Sequence, residues 1–119
     1  MKVINRIKAN KDFALAIKNG RSLKSNSFII HYRKNEYNRI RIGISVSKKL
    51  GNAVTRNRIK RQVRAMCDAI IDYDSNSLDV VMIVKNGFLD KDFHENKTIL
   101  QNQFSGVVIG VNKWKVELN

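Results

Sequence analysis

The chain contains no proline and a single cysteine, Cys67. Without proline there is no Pro-rich linker or recognition segment, and no Gly/Ser-rich tract or fixed-period repeat replaces it. One thiol excludes an intrachain disulfide and fits a reducing, cytoplasmic setting. Long apolar runs are missing as well. The longest, such as residues 80–84, are strand-sized, and the opening MKVINRIKANKDF lacks the apolar core of a secretory signal. Histidine occurs only at His31 and His94, with no H-E-x-x-H spacing, and no serine sits in a G-x-S-x-G elbow. Acidic residues are scarce where they would matter most. Asp12 and Glu36 are the only carboxylates in residues 1–67, too few for a two-metal nuclease site. A stand-alone nuclease or hydrolase is therefore disfavoured.

What the chain does have is positive charge, unevenly placed. Its formal net charge is +13 over 119 residues, a length suited to one domain, 1–119. Residues 1–67 hold eighteen Lys or Arg against two acids, a net of +16, whereas residues 68–119 hold five against eight, a net of −3. Charge confined to one part of a chain marks a binding face more than general solubility. The densest stretch is KKLGNAVTRNRIKRQVR at 48–64, with Lys48, Lys49, Arg56, Arg58, Lys60, Arg61 and Arg64 and no acid. A cationic helix face is ordinarily just solvated. Here the like charges within 56–64 repel at helical spacings, a cost that a polyanion would relieve. Arginine suits that partner, because its planar fork contacts phosphate bidentately and stacks on bases. Asn57, between two arginines, adds a donor and an acceptor. An anionic membrane is the weaker partner, since no long basic helix carries Trp or Phe on its apolar face.

Periodicity predicts the elements. Residues 10–20 read as a short helix, with Asn10 capping its start, Gly20 left-handed after its end, and Phe13, Ala14 and Ile17 on one face. Residues 22–24 and 28–33 read as strands, with a polar turn at 34–38. Residues 39–47 alternate strictly: Ile40, Ile42, Ile44 and Val46 share one face, and Arg39, Arg41, Gly43, Ser45 and Ser47 share another face open to solvent or ligand. A loop at 48–52 leads into a helix over 53–71, whose apolar stripe is Ile59, Val63, Met66, Cys67, Ile70 and Ile71. Arg56, Asn57, Lys60, Arg61 and Arg64 lie beside that stripe, with Arg58 apart. Residues 78–84 predict a buried strand. Asp90 or Asp92 begins a third helix to about residue 104, and residues 105–119 look β-like. The fold expected is α+β: a split β-α-β sandwich with one four-stranded sheet and its helices against one face.

The run RIGISVSKKLGNAVTRNRIKRQVR at 41–64 resembles the signature of the bacterial ribonuclease P protein subunit, centred on Arg56-Asn57-Arg58. RIKANKDF at 6–13 and a first helix ending in Lys-Asn-Gly are similar to the same family. The resemblance covers about residues 6–104 and leaves 106–119 unplaced. It implies an RNA-binding protein that works with a catalytic RNA in removing the 5′ leader from precursor tRNA, one protein to one RNA. The RNA would hold the magnesium and perform the hydrolysis, and the protein would raise substrate affinity and lower the magnesium demand. It also implies that Lys48, Lys49, Arg56, Asn57, Arg58, Lys60, Arg61 and Arg64 face the catalytic RNA. Phe13, Ile17, Phe28, Ile30 and His31 would line a cleft for the leader. Ile17 stands where many members have a second aromatic, and His31 where many have tyrosine, which weakens base stacking there. Plain core packing is the competing reading for Phe13 and Phe28. The rival functions are a ribosomal or other structured-RNA binder without a processing role, and a helix-turn-helix regulator reading DNA with residues 53–71.

Overall fold

Residues 78–84 are almost entirely apolar because both of their faces are covered. The structure, a computed structural model, describes residues 1–117 and the side chains of residues 1–113. β4 (Leu78–Val84) lies inside a four-stranded mixed sheet with β1 (Arg21–Lys24), β2 (Phe28–Lys34) and β3 (Ile40–Ser45), ordered β1-β2-β4-β3. β4 pairs antiparallel to β2 and parallel to β3. The parallel step is bridged by α2 (Ala53–Ile70), with α1 (Asn10–Asn19) before the sheet and α3 (Phe93–Glu117) after it. This is the expected α+β architecture.

The helices do not share one face. Alternation sends Leu78, Val80, Met82 and Val84 of β4 into the main core, with Phe28, Ile30 and Tyr32 of β2 and Ile40 and Ile42 of β3. α2 closes that core with Ile59, Val63, Met66 and Cys67, and α3 with Leu100, Phe104, Val107 and Val111. Val81 and Ile83 point the other way, into a smaller cluster with Ile7, Phe13 and Ala16 of the N-terminal segment and α1. α1 therefore covers the sheet face opposite α2 and α3. The polar side of β3 is accordingly open only at its end: Arg41 and Gly43 are buried beneath α1, whereas Ser45 is exposed. The inward residue of α1 is Ala16, whereas Ala14 is exposed.

The ends of the helices show what fixes them. α2 begins with Asn52, whose side chain accepts from the Thr55 N–H at 2.9 Å. α1 has Ala9, not Asn10, at its cap position, without a side-chain cap, and Gly20 after it is extended (φ −86°, ψ 171°), not left-handed. Of the two candidates for starting α3, Asp92 does so: it accepts from the Glu95 N–H at 2.8 Å while Glu95 reaches back to the Asp92 N–H.

α3 is longer than expected. Residues 105–117, read as β-like, continue the helix, while 118–119 lie outside the described residues. Local propensity loses to packing here. Leu100, Phe104, Val107 and Val111 recur at helical spacing and are buried. Gly106 and Gly110, one turn apart, let the helix approach the sheet closely. A Cβ at Gly106 would lie 2.9 Å from Leu23 Cδ1, and one at Gly110 would lie 2.3 Å from Tyr32 Oη.

Cys67 is fully buried, and burial pushes its thiol up to about 12. The native protein is expected to resist alkylation at neutral pH and to react once unfolded. A thiol reagent followed against urea should trace the same transition as circular dichroism, and fast labelling without urea would contradict this packing.

Candidate nucleic-acid interface

The basic segment is presented by structure on both sides of its turn. Lys48 and Lys49 are exposed on a single 3-10 turn (Lys48–Leu50) pinned by the buried Leu50. Gly51, at φ +148°, then redirects the chain into Asn52 and α2. The apolar stripe of α2 is buried as its spacing requires, and this turns the neighbouring face outward. Asn57, Arg58 and Arg61 are exposed, whereas Arg56, Lys60 and Arg64 lie half-buried along the flank. None of the seven cations pairs with a carboxylate among the described residues. Arg56 Nε is buried without a hydrogen-bond partner. Asp68, four residues after Arg64, is committed elsewhere, to the Met1 amino group at 2.5 Å and the Tyr73 hydroxyl at 2.7 Å. Burial of Asp68 opposes its ionisation, but these two hydrogen bonds, together with the positive charges of the Met1 amino group and Arg6, outweigh it and hold the carboxyl below its ordinary range. The result is a cationic surface without internal neutralisation.

The second region lies on the α1 face of the sheet. Register sets Ser22, His31, Val81 and Gly43 in one row across the four strands, and Lys24, Ile29, Ile83 and Ser45 in the next. The Phe13 ring lies directly on Gly43, where any Cβ would sit 2.5 Å from Phe13 Cζ. Phe13 is half-buried, and Ile17, one turn on, is 44% exposed. His31 is half-buried, and burial, reinforced by Lys24, lowers its pKa. A neutral imidazole at pH 7 offers one donor and one acceptor. Phe13, Ile17 and His31 thus share a face with the half-buried Ile29 and Ile83, flanked by the exposed Lys24 and Ser45.

Phe28 and Ile30 do not join them. Both are 0% exposed in the main core on the opposite face, with Phe28 edge-on to Phe88 at 5.7 Å. The physical reason is strand parity: if His31 faces α1, its neighbours on that side are Ile29 and Arg33. Ile29, Ile83, Lys24 and Ser45 lie on this face without having been expected there, and the same parity finds Ile29.

Known proteins share this fold. The family model described as Ribonuclease P matches residues 1–107. The chain belongs to the ribonuclease P protein family. The ribonuclease P protein component of Mesoplasma florum is 44% identical over 92 residues, 76% of this chain and 84% of that protein. That of Streptococcus equi subsp. equi is 40% identical over 102 residues, 86% of this chain and 85% of that protein. Among solved structures, a mutant ribonuclease P protein of Staphylococcus aureus superposes with TM-score 0.75 at 34% identity, covering 83% of this chain and 84% of that one. The Thermotoga maritima protein gives 0.71 at 32%, covering 82% and 93%.

As a ribonuclease P protein component, the chain is part of an endoribonuclease complex of tRNA 5′ processing, and ribonuclease P RNA is its partner. A strand and a 3-10 turn precede α2, not the first helix of a helix-turn-helix. Among the described residues, no group of three His, Cys, Asp or Glu is placed to hold a metal, and no helix is long and apolar enough to cross a membrane.

Proposed function

We propose that this chain binds the catalytic RNA through the α2 surface and the precursor-tRNA leader through the α1 face. The observation that carries this reading is the separation of the two regions. Unneutralised cations flank α2 on one side of the sheet, while an aromatic ring on a glycine floor lies on the other. Lys48, Lys49, Arg56, Arg58, Lys60, Arg61 and Arg64 neutralise phosphates and release counterions, with Asn57 adding hydrogen bonds. Phe13 offers a stacking platform for an unpaired base. Ile17, Ile29 and Ile83 bury base edges, and Lys24 meets the backbone. Leader contact adds affinity only for precursor, so the protein favours precursor over mature tRNA. Hydrolysis and most magnesium binding belong to the RNA. The protein works in the cytoplasm, one per RNA, and its cations lower the magnesium needed.

The test is precursor-tRNA cleavage at low magnesium with a bacterial ribonuclease P RNA, with and without the protein. Stimulation at the leader junction, with no cleavage by the protein alone, is expected. Tight RNA binding without stimulation would overturn the proposal. Salt dependence checks the α2 surface separately. Arg61→Ala should weaken RNA binding and flatten the log–log salt slope by about one unit. An unchanged slope would place Arg61 away from phosphate.

A further inference from the structure

The start of α1 is held from the side and not by a cap. Arg41 of β3 is 8% exposed and grips Asp79 of β4 with both arms, Nε to Oδ1 at 2.8 Å and Nη2 to Oδ2 at 2.7 Å. The same Nη2 donates to Asp12 Oδ2 of α1 at 3.3 Å. Asn35 Nδ2 donates to Asp79 Oδ1 at 2.8 Å, and the Tyr37 ring covers the guanidinium at 3.9 Å. Buried ion pairs are a poor source of stability, because apolar residues of equal volume often do as well or better. What such an array supplies is geometry. Asp12 and Phe13 are consecutive on α1, and Arg41 and Gly43 alternate on β3. The two contacts, Asp12 to Arg41 and Phe13 to Gly43, therefore lock one end of the helix in a single register on the strand.

We propose that the Asp12–Arg41–Asp79 array is a positioning device that fixes α1 on β3 and thereby holds the Phe13 ring over Gly43 for the leader. This rests on the leader reading above. Asp12 and Arg41 touch no RNA in it and act through Phe13. Asp12 is the separable part. Its side chain is 23% exposed and makes one long contact, and Arg41 keeps Asp79 without it.

The experiment uses the protein reconstituted with a bacterial ribonuclease P RNA. It compares the affinities of leader-bearing precursor and mature tRNA, together with KM and kcat. Asp12→Asn is expected to lower the precursor-over-mature ratio roughly fivefold, part of one base's stacking contribution. KM should rise by the same factor, with kcat at saturation and affinity for the RNA unchanged. Asp12 also places an acid in the first turn of a helix, which is favourable by itself. Asn10→Asp combined with Asp12→Asn restores that charge without the contact and should remain defective. Recovery in the double variant would overturn the proposal. So would an Asp12→Asn protein that unfolds at the assay temperature, which would make the array a plain brace. An unchanged ratio in Asp12→Asn, with a reduced ratio in Phe13→Ala, would overturn it and leave the leader reading standing. An unchanged ratio in both would remove the leader reading and this inference together.

Discussion

Phe28→Ala is expected to destabilise the protein by about 3–5 kcal/mol, whereas Phe13→Ala should cost clearly less. Phe28 is wholly enclosed, its ring edge-on to Phe88 in the turn that leads to α3. Truncation leaves a void between β2 and that turn which a sheet cannot collapse to fill. Phe13 belongs to the small cluster and is half-buried, so water already reaches part of its ring. Urea unfolding of both variants, followed by circular dichroism, gives the comparison. The functional ranking should be inverted. Phe13→Ala should lose precursor affinity in a folded protein, and Phe28→Ala should lose it only as far as it unfolds. A stable Phe28→Ala protein with a specific precursor defect would return Phe28 to the leader face.

Asp79→Ala is the second large effect, expected at about 3–5 kcal/mol. Removing the carboxylate leaves the Arg41 guanidinium buried with only the long Asp12 contact and the face of the Tyr37 ring. The hydrogen bonds that Arg41 donates to Asp79 are the main reason its pKa is raised, and burial opposes them. Without Asp79, the contact with Asp12 is the remaining carboxylate interaction that opposes the burial penalty. Replacing the pair together, Arg41→Met with Asp79→Leu, removes the charge and its penalty and should recover most of the loss. Thermal unfolding of the single and double variants measures this. A cost for Asp79→Ala below about 1 kcal/mol would mean that water solvates Arg41 in place of the partner. The double variant has a further use, because it should be folded and still poor at selecting precursor if Asp12 acts through Arg41.

Which features could be read from the residues follows from the range over which each is determined. α2 was legible because its stripe and its cations repeat at helical spacing within one segment, so local pattern and tertiary role coincide. β4 was legible because an unbroken apolar run has few other places to go. The polar side of β3 was not. Arg41 looks like a solvent-facing residue until Asp79, 38 residues away, is set beside it by the parallel pairing. The second half of α3 was not either. Its valines and isoleucine favour a strand locally and its glycines disfavour a helix, and only the close approach to Leu23 and Tyr32 makes Gly106 and Gly110 useful in one. In the candidate site, the cations came from composition and spacing. The proposed leader face comes from resemblance, and resemblance does not carry strand parity, so it takes in Phe28 and Ile30, which lie in the core on the opposite side of the sheet.

That parity limits how the chain can change in length. Odd and even positions of β2, β3 and β4 serve different compartments, so inserting or deleting one residue inside a strand would exchange them beyond that point. Phe28, Ile30 and Tyr32 would be driven against α1, and His31 and Arg33 into the core. Length variation is therefore tolerable in the connections, such as the turn between β2 and β3 or the segment between α2 and β4, and excluded from the strands. Homologues should align without gaps across 28–33, 40–45 and 78–84, and differ in length between them.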